Sequence, residues 1–494
     1  MADVPKYRFG PLEKRGILAG LGASQLAVVS LGAVCALVAL RALPSGAGLG
    51  AGIAILSASA AVAIVHVKGT PLIEWTSVVA AWSWQRLRGT RRFASRTDTK
   101  GTYAPDPQPD FPSPLEGAQI LSHALPGSGE AIGVLKHPAR STYTAVVKLR
   151  GRSFSLLDPQ DKARTLAAWG SILSSFAREA GVVHRLQWIE RTAPDPSDEV
   201  ALHLRDKAAL PLDSPIVRSY LEVLDDAGPV SQTHEVLLAL QLDARRIARA
   251  VKAAGGGDHG ACEILRRELK SLTESLVNAD VTVEGVLTPR LLAAALRTGY
   301  DPASRAHLAR LEARSPDRAG SAPVAAGPMT TETTWRSYHA DGAYHATYWI
   351  SEWPRVDVEP DFLAALLLRT ECTRTVAVTM EPVPPLRAIR AVEAARTSMA
   401  ADEDLRGRAG FLSTVRRRRE DDALAQHERE LANGHALFKY AGHITVTGTS
   451  LERLEAACGE IEEAAGRCLL DVRRLDGRHH LVFACTLPTC LGLK

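Results

Sequence analysis

Two stretches of this chain are unbroken apolar runs, and most of the rest alternates. From Ile17 to Leu40 there are 24 residues without a charge, and from Ala47 to Val67 there are 21 with only His66 among them. At about 1.5 Å per residue, each helix would cross the ~30 Å hydrocarbon core of a bilayer. Only Arg41 to Gly46 separates them, so the two spans (17–67) are predicted to form an antiparallel transmembrane hairpin with both ends on one side. A buried hairpin of a soluble protein is the other reading, because the runs are rich in Ala and Gly. Gly16-x-x-x-Gly20 and Gly48-x-x-x-Gly52 are spacings that let helices approach closely in lipid.

Behind the hairpin, residues 68–96 are predicted as an interfacial amphipathic helix. Trp75, Val78, Val79 and Trp82 share a face at helical spacing. Trp75, Trp82 and Trp84, with Arg86, Arg88, Arg91 and Arg92, would sit at headgroup level against anionic lipid. An ordinary amphipathic helix packed on the next domain would show the same period. Residues 97–114 hold five prolines and are predicted as a linker.

The following pattern mixes periods of 2 and 3.6. In 115–302, hairpin Ala131–Lys136/Tyr143–Leu149, a helix opened by Asp158-Pro159, strands at 182–191, 234–242 and 281–287, and helices at 216–224, 258–277 and 288–297 make a first α+β domain. A second linker, 303–331, leads to 332–494. There the order βαβ, a helical hairpin at 384–433, then βαββ predicts a ferredoxin-like domain with an insertion. Leu469–Arg474 and His480–Leu487 are expected to pair across Asp476-Gly477. The fold class is therefore α+β: an N-terminal two-helix transmembrane hairpin followed by mixed cytoplasmic domains.

Charge decides the side. Lys6, Arg8, Lys14 and Arg15 precede the hairpin and Lys68 to Arg96 follow it, against Arg41 alone in the turn. The positive-inside rule places residues 1–16 and everything after residue 68 in the cytoplasm, with the protein in the inner membrane. Net charge is +4, from 59 basic and 55 acidic residues, too balanced to imply nucleic acid. Seven scattered cysteines without a C-x-x-C fit reduced core residues.

The sequence offers no catalytic or metal site and implies no cofactor. Gly255 to Gly260 has phosphate-loop glycine spacing but continues Ala261-Cys262 where Lys and a hydroxyl are needed. His479-His480 on a strand would point to opposite faces, and His435 and His443 lack ligand neighbours. The run Arg416-Arg417-Arg418-Arg419 could bind an anion, although Glu420, Asp421 and Asp422 follow it and a solvated helix explains it as well. The last strand is expected to be an open edge, its turn made basic by Arg473, Arg474, Arg478, His479 and His480, on which a partner could dock.

A resemblance extends this reading. Asp341 to Tyr348, Trp353-Pro354-Arg355, Glu381 to Pro385, Arg416 to Arg419 and Gly442 to Thr447 resemble actinobacterial two-span membrane proteins of conjugation-type (type IV secretion-like) clusters. The block Phe438 to Pro488 resembles the non-catalytic lobe of the conjugation ATPase, joined here to a PrgI-like hairpin. The same outline is similar to EccE of type VII secretion. Either resemblance implies a non-enzymatic membrane subunit whose partners are the lipid bilayer, other membrane subunits and a separate cytoplasmic ATPase. A membrane-anchored DNA-binding protein is the rival of another class, with direct nucleic-acid binding unsupported outside the arginine run.

Overall fold

Small residues set the distance between the first two helices, α1 (Ala23–Ala42) and α2 (Gly46–Ile64). In the computed structural model a Cβ added to Gly32 would lie 2.1 Å from Ser59 Oγ, and one on Gly52 would lie 3.4 Å from the Ala36 carbonyl oxygen. Gln25 Nε2 donates to the Ala63 carbonyl at 2.7 Å across the same pair. Both helices are long and apolar enough to cross a membrane, and only 17% of each apolar window is buried. Gly48 and Gly52 are buried, so that spacing serves the hairpin itself; Gly16 and Gly20 lie outside the described residues. Those are 23–42, 46–67, 70–96, 108–125, 130–150, 157–194, 211, 214–227, 232–315, 319–368, 370–408 and 415–493. A ribbon of β1 (His66–Val67) and β2 (Thr70–Pro71) leads into α3 (Leu72–Arg88), which Gly89 ends in the left-handed conformation at φ 70°. Pro11–Arg91 forms one compact unit, and the chain from Arg92 onward belongs to a second.

The second unit is built on one antiparallel sheet with thirteen strands among the described residues. In chain order they are β3 (Arg92–Ala94), β4 (Gln119–Ala124), β5 (Ala131–His137), β6 (Thr142–Arg150), β7 (Val183–Pro194), β8 (Gln232–Asp243), β9 (Thr282–Val286), β10 (Thr330–Thr333), β11 (Tyr338–Ala340), β12 (Ala343–Glu352), β13 (Thr373–Pro382), β14 (Phe438–Gly448) and β15 (Asp471–Arg474). The main path runs β3-β10-β11-β12-β14-β13-β7-β8-β6-β5-β4, with β15 on β12 and β9 on β6. The residues expected as two domains share this sheet. Strand β13 pairs with β7 from Arg374 to Met380, joining 332–494 to 115–302 without a break. Part of the expected linker 303–331 is helix, and from Gln108 onward the proline-rich stretch packs into the core through Phe111 and Leu115. There Gln108 Oε1 accepts from Ile120 N–H, and Asp110 accepts from Arg96 N–H.

The helices of this unit are α4 (Pro159–Phe176), α5 (Pro215–Ala227), α6 (Ala248–Ala253), α7 (Gly257–Asn278), α8 (Pro289–Tyr300), α9 (Ser304–Arg314), α10 (Ala364–Leu368), α11 (Pro385–Arg408), α12 (Val415–Ala432), α13 (Leu451–Arg467) and α14 (His479–Phe483). Side-chain caps start four of them: Asp158 accepts from Asp161 N–H, Ser214 from Val217 N–H, Thr288 from Leu291 N–H and Ser450 from Arg453 N–H. Burying α13 through Leu454, Cys458, Ile461 and Ala465 contributes about 1.5–3 kcal/mol per large side chain.

Pairing registers divide the strand residues between two faces. On one, Leu238, Leu240, Val147 and Leu186 meet α7 and α4, and Val376, Ile444, Val446 and Tyr348 meet α13. The other carries apolar Leu237, Ile189 and Val146 beside a polar stripe of Gln241, Gln187, Thr379, Thr445, Thr347 and His345. It is covered by α8 and by the chain from α14 through Leu491.

Candidate membrane and partner surfaces

Helix α3 has a packed side and an open one. Val78 is buried and Trp75 and Trp82 are half-buried, so three of the four residues that carry the helical period turn inward; Val79 does not. Its open face is Val79, Trp84 and Leu87, the last 82% exposed. Arg88 stacks over Trp84 at 4.4 Å and Arg91 over Trp82 at 3.7 Å, the latter also donating to the Trp82 carbonyl. Arg86 is exposed. Arg92 belongs to β3 and makes a two-pronged bond to Glu332 on β10 at 2.9 and 3.0 Å.

The expected closing strand is overturned. His480–Leu487 is not a strand: residues 479–483 are α14 and Ala484–Thr486 a 3₁₀ turn. A continuous apolar run carries no period of 2, and coiling it buries His479, Phe483 and Ala484 together against the sheet. Strand β15 pairs with β12 instead, which gives the order β15-β12-β14-β13, so the ferredoxin-like split of 332–494 is present and only the extra strand expected after it is absent. The basic side chains are tied down. Arg474 donates to both Glu455 oxygens at 2.9 Å and to the Arg336 carbonyl at 2.6 Å. Arg473 lies 3.5 Å from Asp471. His479 is fully buried and its Nδ1 accepts from Thr347 N–H at 3.1 Å. Burial, and then His479 itself, push His480 down to about 4. Arg478 alone of the five stays exposed at the start of α14.

The polar stripe explains what holds residues 479–493. This stretch is mostly irregular, so its backbone groups need partners from outside. Gln187 Nε2 donates to the Cys485 carbonyl at 2.7 Å, and its Oε1 accepts from Thr489 and Cys490 N–H at 3.1 and 2.7 Å. Gln241 donates to the Thr489 carbonyl and Thr379 to the Leu491 carbonyl. Thr347, Thr445 and Thr486 hydroxyls form a chain at 3.0 and 2.8 Å. His345 sits between the Thr447 hydroxyl at 2.9 Å and the Tyr300 carbonyl at 2.8 Å, and burial pushes it down to about 4. His443 is likewise pushed down to about 4 by burial. These groups form a structural clamp, and no three His, Cys, Asp or Glu among the described residues could hold a metal ion.

Residues 230–350 match the EccE family model, described as "Putative type VII ESX secretion system translocon, EccE". That stretch runs from β8, between β7 and β6 in the sheet, through α6–α9 to β12. No curated protein matches the chain. The match falls on the second of the two resemblances drawn from the sequence.

Arg416–Arg419 lie on α12, and their side chains are outside the described residues. A second basic feature escaped the sequence reading. Arg140, in the β5–β6 turn, and Arg245, Arg246, Arg249 and Lys252, after β8, are all exposed. With Arg185 they form a rim at one end of the sheet, reached only by the carboxylates of Asp243 and Glu381 among the described residues. Spacing of i, i+4 and i+7 from Arg245 was the available signal; adjacency to Arg140 and Arg185 was not, because other strands supply them.

Proposed function

We propose that the protein is a non-enzymatic, membrane-anchored subunit of a type VII-like secretion translocon. The observation that carries this is the EccE match over residues 230–350. It is supported by two helices that expose their apolar side chains and by a third that carries exposed Trp84 and Leu87 among arginines. In this reading both termini are cytoplasmic, the sheet unit faces a cytoplasmic ATPase and other membrane subunits, and the inner membrane is the site of action. It is preferred to a conjugation-type subunit because the matched family names the type VII machine. It is preferred to a DNA-binding anchor because the arginine run shares its helix with Glu420, Asp421 and Asp422.

The test is affinity purification from native membranes in mild detergent, followed by mass spectrometry. Recovery of type VII membrane components supports the proposal; recovery of conjugation components in their place overturns it. Reporter fusions at Pro44 and Lys494 test the topology, with Lys494 outside the cell contradicting it. ATP hydrolysis by the purified chain above background would remove the word non-enzymatic.

A further inference from the structure

Near the basic rim lies a mainly apolar cavity of about 110 Å³ at the root of the α11–α12 hairpin, where Val383, Ala388, Ile389 and Leu431 line it together with polar Ser174 and His435. The two are adjacent. Glu381, whose carboxylate takes Arg185 at 3.1 Å and Arg246 at 3.4 Å, is two residues from Val383, a span of at most about 7 Å. Ile389, which lines the cavity, is exposed, as is Leu386 three residues earlier on α11. Six cations stand on the rim against two carboxylates, and Arg140, Arg249 and Lys252 have no ion-pair partner among the described residues. Burial first, then Arg246 and Arg185 against the opposing Glu381 and Asp243, hold the neighbouring His184 well below its ordinary value.

We propose that this rim and cavity together form a docking site for an acidic peptide segment of a partner protein, one that seats an aliphatic side chain in the cavity and sets carboxylates against Arg140, Arg249 and Lys252. Charge complementarity selects an anionic partner. A partly open, mainly aliphatic cavity near the charges selects a peptide with an aliphatic anchor over a lipid headgroup, which has no use for one. The inference goes beyond the translocon reading and does not use it.

The test uses the full chain in neutral detergent and a fluorescein-labelled peptide in which glutamates flank a central Leu-Leu pair, read by fluorescence anisotropy. Arg249→Glu/Lys252→Glu should weaken binding at least ~10-fold, and Ile389→Ser about fivefold. A peptide with glutamine for glutamate should bind as weakly as the charge-reversed protein binds the original. Among the described residues the side chains of Arg249 and Lys252 hold no other group in place, so unchanged thermal melting of that variant keeps the result interpretable. Undiminished binding by both variants overturns the proposal. So does rim-dependent recovery of the chain, in neutral nanodiscs, on vesicles of phosphatidylglycerol in phosphatidylcholine without peptide binding, which would make the surface a lipid site.

Discussion

The hairpin unit and the sheet unit invert each other. Leu31 and Leu37 on α1 are 64% and 65% exposed, whereas Gln187 and Thr379 in the sheet unit are fully buried. The first arrangement is stable only where the surroundings are themselves apolar, since water would penalise each exposed leucine by up to about 1.5–3 kcal/mol. The second is stable only where every buried polar atom finds a partner, since an orphaned one costs about 1–3 kcal/mol. One chain therefore carries two solvents' rules, and each unit should fail when given a substitution that the other would accept.

Gln187→Leu offers the largest break. It keeps the volume roughly and would suit α1, but it strands the Cys485 carbonyl and the Thr489 and Cys490 N–H groups. The expected loss is about 4 kcal/mol, read as a fall in the urea midpoint of the sheet unit's near-ultraviolet signal. A change below about 1 kcal/mol would mean that residues 479–493 are not held by the stripe.

Leu31→Arg is the converse. On a water-facing helix an arginine at so exposed a position would be neutral within about 0.5 kcal/mol. In a bilayer centre it costs about 3 kcal/mol, so the chain should shift measurably from the membrane fraction to the carbonate-extractable one. Unaltered fractionation would point to the soluble-hairpin reading of α1 and α2.

Acid should act on the sheet unit before the hairpin. His345 is held neutral to about pH 4 by burial among Tyr338 and Phe483, while in the unfolded chain it binds a proton near pH 6.5. The unfolded state then takes up more protons across that window. Stability is full above about pH 6.5 and is lost as pH falls toward 4, with about 2 kcal/mol gone by pH 5 from this residue. Comparing urea midpoints at pH 7.5 and 5 for the wild type and His345→Gln isolates it; parallel slopes would remove the histidine from the account.

Much of this inversion was legible beforehand. The uncharged runs at 17–40 and 47–67 gave the hairpin, and the strands expected at 436–447 and 373–381 agree within two residues with Phe438–Gly448 and Thr373–Pro382. What misled was continuity: Leu481 to Cys485 is apolar throughout, and helix or strand is then decided by where Phe483 finds its core, which is tertiary. The single sheet was equally hidden, since no local pattern says that Arg374 lies opposite Thr192. His443, His479 and His480 were set aside as metal ligands, but the sequence did not show what else they do. Two of those rings prove to be buried outright, and what surrounds them comes from distant stretches of chain, such as the Thr347 N–H on His479.

The smallest effect sharpens the boundary between the two rules, on α3. Arg91 over Trp82 is an interaction within its own unit and is worth about 0.5–1 kcal/mol whether or not lipid is present. Trp84 and Leu87 have no such inward role; they are open, with Arg88 lying over Trp84. Arg91→Gln should therefore lower the stability of the hairpin unit slightly and equally in detergent and in vesicles. Leu87→Ser should leave stability in detergent within about 0.5 kcal/mol. It should also reduce quenching of the α3 tryptophans by brominated lipid, because Leu87 then no longer draws that face below the headgroups. If quenching is the same for the wild type and Leu87→Ser, the open face of α3 meets water or protein, and the apolar-solvent rule stops at the end of α2.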